Sequence, residues 1–576
     1  MAELNAEKNK TPFPVRLQLG IESSQKMTAN MLESYNHILQ CLSAGWYESR
    51  DASTSRPINL IWRYYNIMMA YLAARTPKSL VTAKGNIALS GAAYTLSLAL
   101  DHLKAEISYQ DMLEEVVQTS LGFAGMVKTG ICRSASVMIG DTEHEVGQPY
   151  CDAIDADDQI FDVKARRWRQ SQFIGNRYRV RLDYLKTSGL FKNYDRVTAD
   201  SSLYSSETAP EQVAKPDVTS QEYQDLHEHA TVYDLYLPDE KIMVTLPQKG
   251  QGDKFLRVVD EFPETGPFDL LTYNKFPGSI IPIPPAYSIL DLDEQLNRVA
   301  RRLKRRDGRD KTVLAYDSAS ATDAERVVAT ADGEAVAVEN VDRLKEIHFG
   351  GVEDRSIFYA DWLERNASEQ GGNLHNIGGI RPEAKTLGQE QIMTQQAQGP
   401  ILKMLKSVET LCAAIEKKLA WYLISDPLIK IPLIKKVSGY PSLAVEYSEY
   451  TKEGDFLDYN FDIIPYSTQG SSPEATWMKL MQVVNQMVLP TLEIGAQQGQ
   501  VLDVRRLTEI AGRFLDIPEL KNVYVNSAPQ KADVGPYQPM QGQVKPKSGQ
   551  PDGRISTGGF NEVSNLNQQQ TRTGAA

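Results

Sequence analysis

A strongly amphipathic helix over residues 288–306 is the feature that most constrains this chain. One stripe of the helix is apolar, formed by Leu292, Leu296, Val299 and Leu303. A second stripe is basic and lies roughly 130° away at ~100° per residue, formed by Arg298, Arg301, Arg302, Arg305 and Arg309. A helix with these two stripes must bury one side and present the other to water or to an anionic partner. The preceding PGSIIPIPP stretch, residues 277–285, is too rich in proline to continue it.

The order of elements after this helix is equally distinctive. Residues 311–340 return to a β pattern, and residues 327–338 predict a hairpin whose Asp332–Gly333 pair supplies the turn. A second helix follows at 353–370, and then a segment at 371–386 that contains four glycines. A long helical pattern covers 387–424, with Gly399–Pro400 inside it, where the proline should kink the helix.

The remainder reads as a mixture of helices and strands, so the predicted fold class is α+β. Helical spacing appears at 27–42, at 58–73 and in two pieces at 91–123, broken near Ile107–Ser108. Alternation with period two then predicts strands near 178–182, 231–236 and 241–246, and again within 443–464. Residues 473–515 return to helix. The first 25 residues are expected to be flexible, and residues 526–576 are too polar to offset their ordering entropy.

Charge and composition exclude several classes of protein. Lys and Arg number 62 against 74 Asp and Glu, a net charge of −12, which argues against tight wrapping of nucleic acid. The N-terminus lacks the apolar core of a secretory signal, and no apolar run is long enough for a membrane span. Four widely spaced cysteines do not make a disulfide framework or a zinc ribbon.

Motifs of enzyme chemistry are missing. The sequence has no phosphate-binding GxxxxGK[ST] loop, no GxSxG elbow and no HExxH pair. The acidic run from Asp152 to Asp162 fails the spacing of a calcium-binding EF-hand and is interpreted as turn residues. His227 and His229 are interpreted as part of a solvated loop. No catalytic, cofactor-binding or metal-binding residue is predicted, although a metal-dependent nuclease built on the acidic clusters stays open as an alternative.

The succession of helix, β insertion, helix, glycine-rich loop and long helix resembles the portal protein, or head-to-tail connector, of tailed double-stranded DNA bacteriophages. Two short stretches are also similar to portal sequences: DADDQIFDVKARRWRQSQFIGNRYRVRLDYLK at 155–186 and PEAKTLGQEQIM at 382–393. The resemblance implies the following parts: a flexible N-terminus (1–25), an N-terminal wing (26–287), stem helix 1 (288–306), a small α/β clip (307–352), stem helix 2 (353–370), a tunnel loop (371–386), a wing helix and β region (387–470), crown-like helices (471–525) and a disordered tail (526–576).

The resemblance also implies a function without enzymatic activity or cofactors. Portal proteins form a homo-oligomeric ring of twelve subunits at one capsid vertex of the virion, assembled in the host cytoplasm. The ring is the channel for genome packaging and ejection. Its implied partners are double-stranded DNA, the terminase large subunit, the major capsid and scaffolding proteins, and tail adaptor proteins. Another structural ring subunit of the virion, an adaptor or tail protein, is the alternative in the same class.

The resemblance allows three hypotheses about individual residues. Lining of the channel is expected from an acidic arc on the second stem helix, formed by Glu353, Asp354, Asp361 and Glu364; in the simpler alternative, these acids pair with the arginine stripe. Transient DNA contacts are expected from the tunnel loop, through Asn373, His375, Arg381 and Lys385; alternatively, these groups simply meet water. Packing between subunits is expected from Arg298, Arg301, Arg302, Arg305, Phe358 and Trp362, with the clip pairing through strand edges.

Overall fold

The apolar helical patterns form the helices around which the chain is built. The computed structural model describes residues 12–43, 56–139, 142–199, 228–248, 254–349, 353–372, 374, 387–426, 428–435 and 443–464. Its helices are α1 (Phe13–Ser43), α2 (Leu60–Leu72), α3 (Ser90–Glu106), α4 (Tyr109–Gly122), α5 (Leu182–Thr187), α6 (Tyr287–Asp307), α7 (Ala321–Ala329), α8 (Asp354–Gln370) and α9 (Leu387–Ser425). The break predicted near Ile107–Ser108 is confirmed, because α3 ends and α4 begins there.

Apart from the long hairpin β2-β3, the described strands are short, and all their pairings are antiparallel. They are β1 (Ser79–Ala83), β2 (Gly125–Ile139), β3 (Thr142–Ile154), β4 (Gln159–Phe161), β5 (Ile174–Arg181), β6 (His229–Leu237), β7 (Ile242–Pro247), β8 (Arg257–Val259), β9 (Phe268–Leu271), β10 (Lys311–Tyr316), β11 (Leu344–Phe349), β12 (Ile431–Lys435), β13 (Leu443–Tyr447) and β14 (Tyr459–Ile463). The sheets run β3-β2-β9, β4-β5-β6-β7-β8, β1-β14, β10-β11 and β12-β13. Helices and sheets together confirm the α+β class.

The main core surrounds the apolar helix α2. Helices α1, α4, α6 and α9 pack against it, α3 packs against α4 and α9, and Ile289, Leu296 and Leu363 of α6 and α8 belong to the same cluster. A second cluster lies between α1 and the five-stranded sheet, where Leu17 and Ile21 contact the sheet. Burial of these side chains is the main favourable term for the body of the chain.

Helix α9 is fixed in the body by two buried ion pairs. Glu416 pairs with Lys104 of α3, and Lys418 lies 2.7 Å from Asp269 of β9. The side chains of Glu416 and Lys418 are two residues apart and therefore point to nearly opposite sides of the helix. Burial raises the pKa of Asp269 and of Glu416, against the opposing effect of their lysine partners. The helix continues through Pro400, as the sequence predicted, and the kink itself stays a prediction.

The predicted clip hairpin at 327–338 is wrong. Residues 321–329 form α7 instead, and the clip sheet pairs β10 with β11 over the register Lys311↔Phe349 to Tyr316↔Leu344. Gly333 has the expected positive φ of 87°, but its turn joins no strands. The buried carboxylate of Asp323 accepts a hydrogen bond from the Glu339 amide at 3.0 Å. This contact folds the segment after the turn back onto α7.

The flexible N-terminus predicted for residues 1–25 is wrong from Phe13 onward. Helix α1 begins there, and its buried Leu17 and Ile21 belong to the contact with the five-stranded sheet. The helix approaches the sheet closely, because a Cβ on Gly20 would lie 2.9 Å from the ring of Phe173. The first described helix therefore begins well before residue 26.

Several predicted parts lie outside the described residues. These are the first 11 residues, most of the tunnel loop, the crown-like helices at 471–525 and the tail at 526–576. Among the residues that the model describes, no helix is long and apolar enough to cross a membrane.

Candidate functional site

Helix α6 is attached to the body by two buried polar side chains. Asp293 is fully buried and accepts hydrogen bonds from the Leu60 amide and from Arg56, each at 2.8 Å. Asn297, one helical turn further on, accepts a hydrogen bond from the Ile58 amide at 3.2 Å. Burial raises the pKa of the Asp293 carboxyl, while the amides of α2 and Arg56 oppose that increase. These contacts set the direction in which α6 leaves the body.

Helices α6 and α8 pack side by side through their apolar stripes. Leu296 of α6 and Leu363 and Ala367 of α8 are buried, and Val299 and Ala360 are partly buried against the same core. Leu303, the last member of the predicted stripe, is only half-buried. The stripe therefore holds α8 firmly at its inner end and less firmly beyond Val299.

Beyond this inner end the chain has almost no core of its own. We call residues 298–362 the arm; it contains the outer half of α6, the clip and the outer half of α8. In its described parts, 298–349 and 353–362, the only buried side chains are Ser320, Asp323 and Ala324. Large apolar side chains lie exposed along it: Val313, Tyr316, Val327, Val328, Val336, Val341, Ile357, Phe358, Tyr359 and Trp362.

The basic stripe of α6 faces away from the body. Arg298, Arg302, Arg305 and Arg309 are exposed, and we call them the basic face. Arg301, at its margin, is half-buried. Among the described residues, Arg298 and Arg302 take part in no ion pair. Their guanidinium groups are therefore exposed without an acidic partner in the described part of the chain.

The outer side of α8 carries acids and aromatic rings. We call Asp354, Phe358, Asp361 and Trp362 the acidic–aromatic face, because at ~100° per residue they lie on the side of the helix opposite Leu363 and Ala367. Phe358 is 73% exposed and Trp362 is 54% exposed. Trp362 stacks on Tyr359, with ring centroids 5.8 Å apart. Both predicted packing residues of α8 thus point away from their own chain.

The four acids predicted to line the channel have different surroundings. Glu353 is 62% exposed and lies 2.7 Å from Arg306, and Asp361 lies 2.9 Å from Arg365 within α8. Asp354 is exposed in the first turn of α8, where a negative charge complements the helix dipole. Glu364 is half-buried and lies 3.0 Å from Arg63 of α2. The alternative of pairing with α6 therefore holds for Glu353, through Arg306 rather than through the predicted stripe.

The tunnel-loop residues lie almost entirely outside the described part of the chain. Asn373, His375, Arg381 and Lys385 are among them, so their contact with DNA stays a prediction. Gly371 and Gly372 end α8, and Gly372 has a φ of 91° that favours glycine. Gly371 lies against Ile289 of α6, where a Cβ would be 3.0 Å from the Ile289 side chain.

The acidic run after β3 organises turns and one polar cavity. Asp162 accepts hydrogen bonds from two nearby amides, as its interpretation as a turn residue requires. Asp158 lies 2.6 Å from Arg177 at the edge of a cavity of about 410 Å³. Lys128 lies 2.7 Å from Asp234 in the cavity wall. Within the described ranges, no group of three histidine, cysteine, aspartate or glutamate side chains is placed to hold a metal ion.

Sequence reasoning missed the residue that joins α6 to the body. Asp293 has no role assigned from the sequence. A signal was present, since Asp293 falls on the same side of the helix as Leu296 and Ile289, where a charge must be paired to be buried. Its partner Arg56 is 237 residues away, and no local pattern indicates that contact.

Comparison of the sequence with models of known protein families gives no match, and comparison with curated proteins gives none either.

Proposed function

We propose that this chain is a portal protein of a tailed double-stranded DNA bacteriophage. Copies of the chain form a homo-oligomeric ring at one capsid vertex, and the ring is the channel through which the genome is packaged and ejected. It docks the terminase large subunit during packaging and tail adaptor proteins afterwards, and it meets the major capsid and scaffolding proteins during assembly. The chain has no catalytic activity or cofactor of its own in this role.

The observation that carries this proposal is the arm without a core. About 60 residues of helix and sheet extend from the body with only three buried side chains in their described parts. Such a segment cannot offset its conformational entropy by its own burial. Exposed apolar surface of this extent is typical of interaction sites. The arm is therefore expected to gain its stability from neighbouring copies.

The order of elements supports a ring with a channel. The two helices α6 and α8, the α/β insertion between them and the long helix α9 occur in the order that the portal resemblance implies. The net charge of −12 on each chain makes a ring of many copies strongly acidic. An acidic channel lets a polyanion pass without the counterion release that would hold it tightly.

The clip supplies a second place where copies can join. Sheet β10-β11 has two strands, so each strand pairs on one side only within the described chain. An unpaired strand edge is a template for pairing with another chain. We place the edge pairing proposed for the clip at β10 and β11, in place of the hairpin first expected there.

Electron microscopy of the purified full-length chain tests this function. Negative-stain images are expected to show rings with a central hole, and light scattering is expected to give a mass of many subunits. A stable monomer at all concentrations would refute the proposal. Incubation with DNA and Mg²⁺ is expected to leave the DNA intact; cleavage would favour the nuclease alternative.

A second experiment separates a portal from an adaptor or tail ring. A portal enters the empty procapsid before DNA, whereas an adaptor joins after packaging. The protein is therefore expected in procapsids isolated from infections in which the terminase is inactive. Its absence from those particles, together with its presence in filled heads, would favour the adaptor alternative.

A further inference from the structure

We infer that neighbouring copies meet with the basic face of α6 in one copy against the acidic–aromatic face of α8 in the next. The inference rests on the proposed ring and names the surface that closes it. The occupant of each face is thus a second copy of this chain. Exposure of the two faces, their opposite charge and their matching heights on the arm carry the argument.

The two faces lie on opposite sides of a two-helix ribbon. In α6 the basic face is on the side away from the buried Ile289 and Leu296, and in α8 the acidic–aromatic face is on the side away from Leu363. The same ribbon therefore presents a cationic surface on one helix and, on the other, an aromatic surface with Asp354 at one end and Asp361 paired to Arg365 at the other. Successive copies can join through the same pair of faces, with α6 of each copy beside α8 of its neighbour.

Two contacts within the chain fix which residues share a height. Arg306 is 2.7 Å from Glu353 at the clip end, and Ile289 lies against Gly371 at the body end. Because the helices run in opposite directions with the same rise per residue, Arg302 lies at about the height of Phe358, and Arg298 at about the height of Trp362.

We place α6 and α8 along the axis of the ring, where the rotation that relates the subunits keeps these heights. Arg302 of one copy then meets Phe358 of the next, and Arg298 meets Trp362. A guanidinium over an aromatic face makes a favourable cation–π contact. Asp354, one helical turn before Phe358 on the same face, adds the opposite charge.

The other pairings of these faces are disfavoured by charge. A two-fold dimer through α6 would place the arginines of the basic face against themselves. A two-fold dimer through α8 would leave the arginines of the basic face without an aromatic or acidic partner. Since a two-fold interface uses the same patch on both copies, only the unlike pairing of α6 with α8 gives both faces a partner, and that pairing generates rings.

Disulfide cross-linking of full-length rings tests the inference. The background variant is Cys132→Ser, because Cys132 is exposed whereas Cys41, Cys151 and Cys412 are buried. In this background, Arg302→Cys and Phe358→Cys are combined in one chain. Each subunit can then link to both neighbours, so mild oxidation is expected to give a ladder of covalent oligomers on a non-reducing gel. Either cysteine alone is expected to give monomers.

A matched control places both cysteines on the same faces at different heights. Arg305→Cys combined with Trp362→Cys is expected to give no ladder, because a disulfide requires Cβ atoms about 4 Å apart. Two results would overturn the inference without affecting the proposed ring. One is dimers from Arg302→Cys alone, and the other is intact rings in which Arg302→Cys with Phe358→Cys gives no ladder. Absence of rings under the microscope would instead refute the proposed function.

Discussion

Arg56 and Asp293 lie 2.8 Å apart across the junction between the body and the arm. Asp293 is fully buried and also accepts the amide of Leu60 at the start of α2. The two charges therefore fix the end of α6 against α2, and the direction of the arm depends on them. Removal of one partner from a buried pair leaves the other charge without compensation.

Asp293→Ala is expected to lower the free energy of unfolding by about 3 kcal/mol, because Arg56 and the Leu60 amide lose their acceptor. Urea unfolding of the full-length chain, followed by circular dichroism, measures the change. The control is Asp291→Ala, two residues earlier on the exposed side of α6. Equal effects of the two substitutions would show that Asp293 has no special role at the junction.

Phe358→Ala and Leu363→Ala are expected to separate assembly from folding. Phe358 is 73% exposed, so its loss should leave the subunit folded and weaken ring formation. Leu363 is fully buried, and its truncation should destabilise the subunit itself by about 2–5 kcal/mol. Light scattering reports the ring and thermal unfolding reports the subunit. If Phe358→Ala still forms intact oligomeric rings at low protein concentration, the side chain of Phe358 makes no important contact between subunits.

Neutralising Glu353 tests its place in the channel, since this acid precedes α8 and lies outside the acidic–aromatic face. We expect Glu353→Gln to slow packaging or shorten the packaged genome, because a less acidic wall holds DNA more strongly. Glu364→Gln is the matched control, since Glu364 pairs with Arg63 of the body. Pulsed-field gels of DNA from filled heads measure the length. Wild-type rate and length in the Glu353→Gln variant would contradict a lumenal position.

Deletion of residues 373–380 tests the tunnel loop. The deletion removes Asn373 and His375 and shortens the segment that leads to Arg381 and Lys385. We expect filled heads of this variant to release packaged DNA more readily. A nuclease-protection assay on filled heads measures retention. As a control, a loop of the same length made of glycine and serine separates loss of the side chains from loss of length. Unchanged packaging and retention in the deletion would end the DNA-contact hypothesis.

Stability at high pH is expected to depend on Tyr35. Burial raises the pKa of this phenol from 10.0 to about 12, so the folded chain keeps a proton that the unfolded chain loses. The contribution of Tyr35 to the free energy of unfolding is therefore fully present below pH 10. It falls by about 1.4 kcal/mol per pH unit between pH 10 and 12. Tyr35→Phe should flatten the unfolding free energy over that range. Tyr450→Phe, at a ring 96% exposed, should leave the slope unchanged.

The sequence predicted the elements whose pattern is local and long. Helices α6, α8 and α9 lie within one or two residues of their expected bounds, because each carries a continuous helical period. The clip was misread, since VVATADGEAVAV fits a hairpin locally and only the contact of Asp323 with the Glu339 amide selects α7 and the returning segment. Helix α1 was missed before residue 27 for a similar reason. Its buried side there has few apolar residues, and Gly20 matters only because Phe173 lies above it.

The candidate site divides in the same way. Both charged faces of the arm follow from helical spacing, so Arg298, Arg302, Phe358 and Trp362 could be assigned from the sequence. The pairing of Glu364 with Arg63, and of Asp293 with Arg56, joins residues more than 200 positions apart. Distant contacts of this kind have no local signal in a single sequence.

An arm with so little interior also decides where sequence change is tolerated. A destabilising substitution in the body affects the folding of a single chain, because the clusters around α2 and α9 form within one copy. In the proposed ring, a change on the outer surface of residues 298–362 has its effect only when copies assemble. Variant and normal chains in one cell would therefore fold equally well and enter the same rings. One subunit with a defective arm is then enough to make a whole ring defective.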